Sequence, residues 1–117
     1  MLPKENRLSL KTEFARIRKN GRLFQGNLFS LLAVNQGLKT KDQQPKFAFI
    51  ISKKIHRRAT KRNRARRLLT EAVRVFLAKI KPGTEGVFLG KKMIIGKYFS
   101  EIKSEVEEIF KKAGLFK

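Results

Sequence analysis

The sequence has no cysteine and no tryptophan, one histidine, one tyrosine and only nine acidic residues among 117. Without cysteine there are no disulfides, no thiolate nucleophile and no cysteine-ligated zinc. The few acids supply no D-x-D pattern of the kind two-metal phosphoryl chemistry uses, and Glu105, Glu107 and Glu108 read as the solvated face of one late helix. No phosphate-cradling glycine loop is present, because Gly83 and Gly86 do not fit G-x-x-x-x-G-K-[ST]. No apolar run approaches the roughly 20 residues of a membrane helix. The opening residues Met1–Arg7 lack the apolar segment of a signal peptide. These absences lead us to expect one cytoplasmic domain over residues 1–117, with no catalytic centre, metal or cofactor of its own.

What the chain has in abundance is positive charge. Its 29 Lys and Arg give a formal net charge of +20, while 41% hydrophobic residues, with ten Phe, suffice for a packed core rather than a disordered basic tail. The charge is densest between Lys53 and Arg67, where Lys53, Lys54, Arg57, Arg58, Lys61, Arg62, Arg64, Arg66 and Arg67 occur without a single acid. Such a run repels itself unless a polyanion neutralises it, and a phosphate backbone is the commonest partner. Arg outnumbers Lys in the run, and its planar guanidinium binds phosphate in a bidentate manner that Lys cannot. A membrane surface fits less well, because no Trp- or Phe-rich exposed helical face accompanies the charge.

Hydrophobic periodicity places the run. Thr12–Lys19 reads as a first helix, capped by Thr12 and ended at Asn20-Gly21. Leu28–Val34 and Phe47–Ser52 read as strands joined by a polar loop from Asn35 to Pro45, most simply as an antiparallel hairpin. A second helix carries Ala65, Leu68, Leu69, Ala72, Val73, Phe76, Leu77 and Ile80 at helical spacing, with Thr60 as N-cap and Pro82-Gly83 as its stop. Gly86–Leu89 reads as a strand, and Met93–Ile95 as a short apolar piece that adds a further strand if it pairs into the sheet. A last helix spans Ser100–Ala113, with Ile102, Val106, Ile109 and Phe110 on its apolar stripe. The expected order α-β-β-α-β-β-α is that of an α+β sandwich with helices on a mixed sheet.

On a helical wheel, Asn63, Arg67, Thr70 and Arg74 lie opposite the second helix's apolar stripe. Arg64 and Arg66 flank the stripe, and Lys61 and Arg62 project nearer to its direction. A helix-turn-helix would need another short helix just before this one, where the sequence offers a strand, so DNA is not the expected partner. RNA suits an α+β domain better, with Phe14, Phe29, Phe47 and Phe49 as candidate stacking rings, although each such Phe is more often core than platform.

Ile51-Ser52-Lys53-Lys54-Ile55, followed by Ala59-Thr60-Lys61-Arg62-Asn63-Arg64-Ala65-Arg66-Arg67-Leu68-Leu69, closely resembles the signature of the bacterial ribonuclease P protein family. Arg7-Leu8, Phe14, Gly21, Phe29 and the element order extend the resemblance over nearly the whole chain. The resemblance implies an α-β sandwich with a left-handed β-α-β crossover, like the split β-α-β fold of a ribosomal protein domain. It implies two partners, a catalytic RNA and precursor tRNA. The RNA would perform a magnesium-dependent hydrolysis that removes the 5′ leader. Arg62, Asn63, Arg64, Arg66 and Arg67 would then face RNA, joined by Lys53, Lys54, Arg57, Arg58, Lys61, Lys91 and Lys92. Phe14, Arg18, Phe29 and Leu32 would line a cleft for the leader, Arg18 standing where relatives commonly carry an aromatic. The other class of function compatible with charge and size is a structural RNA-binding protein, such as a basic ribosomal protein.

Overall fold

The computed structural model describes residues 2–35 and 43–117; most of the polar stretch expected as a loop lies outside them. The elements in order are α1 (Leu10–Asn20), β1 (Arg22–Gln25), β2 (Phe29–Asn35), β3 (Lys46–Ile50), α2 (Ala59–Phe76), β4 (Thr84–Gly90) and α3 (Phe99–Ala113). The α+β class is the expected one, but the strands are distributed differently. An unanticipated β1 precedes β2, and the Met93 region forms a 3-10 turn, Lys92–Ile94, instead of a strand.

The expected β2–β3 hairpin does not exist. The sheet order is β1-β2-β4-β3, so β4 lies between the two strands. It runs antiparallel to β2, from Phe29↔Gly90 to Asn35↔Thr84, and parallel to β3, from Lys46↔Glu85 to Ile50↔Leu89. Parallel neighbours need a crossover rather than a turn, and α2 supplies it. Register also requires a small residue at the centre. A Cβ on Gly86 would lie 3.0 Å from both Leu31 Cδ1 and the Phe47 ring.

The two faces of the sheet are covered unequally. α2 and α3 bury one face around an aromatic cluster. Phe88 meets Phe29 edge-on at 5.4 Å, Phe49 in a stack at 5.4 Å and Phe110 edge-on at 5.8 Å. Each such ring contributes about 1.5–3 kcal/mol by burial, and favourable pairs add about 0.5–1.5 kcal/mol. Ala65, Leu69, Ala72, Val73 and Phe76 of α2 are buried here, as are all four stripe residues of α3. Among the described residues, the other face carries only α1, over a smaller aliphatic cluster of Leu8, Ile17, Leu32, Ala48 and Val87.

Helix ends differ from expectation. α1 and α2 begin after Ser9 and Arg58, neither with a side-chain cap, so Thr12 and Thr60 fall inside their helices. α2 also stops at Phe76, short of Pro82, and a 3-10 turn follows at Leu77–Lys79. α3 ends as expected at Gly114, whose φ of 69° is one that glycine adopts without steric cost.

Candidate nucleic-acid interface

After β3 the chain turns at Ser52–Ile55, where the Ile55 N–H donates to the Ser52 carbonyl at 3.0 Å. Lys53, Lys54, Arg57 and Arg58 are exposed around this turn and the loop after it. The loop is held to α2 by Arg62, whose guanidinium donates to the carbonyls of His56 at 2.8 Å and Arg57 at 2.9 Å. Arg62 therefore shapes the interface and is the least available of the motif cations. The His56 ring is part of the same loop, its Nδ1 accepting the Arg58 N–H at 3.1 Å. The first turn of α2 contains no acid, so no side chain of that turn offsets the positive end of the helix dipole.

Lys61, Asn63, Arg64, Arg66 and Arg67 are exposed along the next two turns. Arg64 reaches the Lys97 carbonyl at 3.3 Å, linking α2 to the segment before α3. Arg66 donates to the Asn63 side-chain oxygen at 3.4 Å. Thr70, which the wheel placed on the solvent side with Arg67, is buried and donates to the Arg66 carbonyl at 2.7 Å. Asn63, Arg66 and Arg67 instead border a groove off the edge of β3. The two lysines after β4 separate: Lys92 is exposed, whereas Lys91 Nζ donates to the Gly26 carbonyl at 2.6 Å and braces the β1–β2 turn. Glu105 braces that turn from α3, accepting the N–H groups of Asn27 at 3.0 Å and Leu28 at 2.7 Å.

A cleft of about 460 Å³ opens between α1 and the thinly covered sheet face. Phe14, Arg18 and Leu32 line it together with Leu23 and Leu89. Phe29 does not belong to it. Three residues from Leu32 on one strand, it points to the opposite face, where it is fully buried against Phe88. Sequence reasoning missed Leu23, which lies on the unanticipated β1. It also missed Leu89, which shares Val87's face by strand alternation, a signal that was present. Arg16 anchors α1 over this face, donating to Glu85 on β4 at 2.9 Å and to Glu13 at 2.6 Å. Those bonds, Glu85's foremost, raise the guanidinium pKa above its ordinary value.

Among the described residues, no group of three or more His, Asp or Glu side chains is placed to hold a metal ion, and no helix is long and apolar enough to cross a membrane. A cation-studded helix on one face of the sheet and an apolar cleft on the other, with few acids between them, define the class as an RNA-binding α+β sandwich. Comparison with known proteins narrows it. The family model described as Ribonuclease P matches residues 2–114, and the chain belongs to that family. The Clostridium kluyveri ribonuclease P protein component is 33% identical over 113 residues, covering 95% of this chain and 96% of that one. Its Clostridium acetobutylicum counterpart is 31% identical over 112 residues, covering 96% and 92%. The solved Staphylococcus aureus RNase P protein shares the fold, with a TM-score of 0.81 at 20% identity over 96% of this chain and 98% of that one. Family membership makes the RNase P RNA the chain's partner.

Proposed function

We propose that this protein serves as the protein subunit of ribonuclease P in tRNA 5′ maturation, gripping the catalytic RNA along α2 and the 5′ leader of precursor tRNA in the α1 cleft. Exposed Asn63, Arg64, Arg66 and Arg67 would engage RNA, with Lys53, Lys54, Arg57, Arg58 and Lys92 extending the cationic surface on either side. Phe14 would offer its ring to a leader base, and Arg18 would stack on a base or bind a leader phosphate. Hydrolysis belongs to the RNA and its magnesium ions. What this chain adds is positioning and charge neutralisation, which draw precursor and metal to the RNA.

The observation that carries the reading is one juxtaposition. The same α1 that roofs the apolar cleft begins, at Leu10, on the lining of the groove walled by Asn63, Arg66 and Arg67. One protein can thereby hold two RNAs side by side. The test is reconstitution of the full chain with the RNase P RNA at low magnesium. Stimulated cleavage of precursor tRNA at the mature 5′ end is expected. No stimulation, with co-sedimentation on ribosomes, would sink the proposal.

A further inference from the structure

The groove off β3 is more than a stretch of charged helix face. It encloses about 430 Å³ between the N-terminal segment, the outer edge of β3 and the first half of α2. Its floor is apolar, built from Leu8, Leu10, Phe47 and Phe49, and its rim carries Arg7 as well as Asn63, Arg66 and Arg67. Among the described residues, no acid lines it. Thr70 adds no free donor, its hydroxyl being engaged by the Arg66 carbonyl.

A face that only met phosphates would need no apolar floor. An apolar floor under guanidinium groups suits a ligand with a flat apolar body and a phosphate attached, which is an unstacked nucleotide. The strand edge adds hydrogen-bonding capacity. The Phe47 carbonyl faces outward, where it accepts the Leu8 N–H at 3.1 Å. By strand alternation the backbone N–H and C=O of Phe49 face the same way, at the height of the groove. Phe49 is half-buried, one side of its ring stacked on Phe88 at 5.4 Å.

We infer that this groove receives an unpaired nucleotide extruded from the RNase P RNA, its base on the Phe49–Leu10 floor and its phosphate between Arg66 and Arg67. The inference rests on the proposed grip of that RNA along α2 and adds the ligand of a defined pocket. The occupant is the catalytic RNA rather than the leader, because the charged wall is α2. The leader cleft lies on the other side of α1, over β1 and β2.

The experiment measures binding of the full-length protein to the RNase P RNA alone, without tRNA, over a series of salt concentrations. Leu10→Trp fills the groove, and Phe49→Leu removes its ring; neither changes a charge. Each is expected to weaken binding roughly 10-fold while leaving the slope of log affinity against log salt unchanged. Melting curves identify folded variants, so that either one decides if the other fails to fold. Parental affinity in a folded variant would overturn the inference. A photo-crosslinking side chain in place of Leu10 should mark one unpaired nucleotide, and adducts spread along paired helices would count against the pocket. Failure of the proposed function would look different, since the parent protein would then neither bind the RNA nor stimulate cleavage.

Discussion

The two faces of the sheet do opposite jobs with similar raw material. On one face, two helices and a network of phenylalanine rings exclude water; Phe29, Phe88 and Phe110 have no accessible surface at all. On the other, a single 11-residue helix covers part of the surface, and Phe14, Leu23 and Leu89 are left lining an open cleft. The closed face supplies stability that the open face does not have to provide. Aromatic and aliphatic side chains therefore remain accessible on the open face, as the proposed grip on the leader requires.

This contrast can be broken by experiment. The largest effect is expected from Phe88→Ala, which removes the ring shared by Phe29, Phe49 and Phe110. Denaturant unfolding should show a loss of about 3–5 kcal/mol, with the salt slope of RNA binding by the remaining folded protein unchanged. Arg16→Met tests the fastening of the open face. Glu85 is only 8% exposed and would lose its guanidinium partner. Because Arg16 is itself one-third exposed, a loss of about 1–2 kcal/mol is expected by the same measurement. The raised Arg16 pKa fixes the sign of its pH dependence: the contribution is fully present through the neutral range and fades only in strong alkali.

The next effect is a matter of salt. Arg64→Ala and Arg67→Ala should each lower the slope of log affinity against log salt by about one, read from RNA binding titrations, with little change in melting temperature. Phe14→Ala is expected to cost less than about 1 kcal/mol of stability, because its ring is only partly buried. That substitution should weaken binding of precursor tRNA while sparing mature tRNA. Should Phe14→Ala destabilise the fold as much as Phe88→Ala, the division between a structural and a working face would be wrong.

What could be read in the sequence was local. The apolar stripe of α3, its dipole-matched charges and its glycine stop are set by residues a few positions apart, and the helix runs within a residue of its expected start. The cationic positions of α2 were legible for the same reason. Strand pairing was not, because β3 finds its neighbour β4 across the whole of α2, and no nearby pattern encodes that choice. Nor could the sequence show that Arg62 and Lys91 are held by the carbonyls of His56, Arg57 and Gly26, since those contacts exist only once loops have met. Phe29 is a different case. Its separation from Leu32 by three strand positions already assigned the two residues to opposite faces.

The central place of β4 bears on how the chain must be made. A ribosome releases β1, β2 and β3 well before Thr84–Gly90, the segment that joins β2 to β3. Until it emerges, the nascent chain holds a two-stranded ribbon and a detached strand, with the rings of Phe29 and Phe47 still lacking Phe88. Long-range pairing of this kind is slow and leaves strand edges exposed meanwhile. The basic run from Lys53 to Arg67 is translated before β4, so the growing chain carries its strongest attraction for RNA before it has a closed sheet on which to display it.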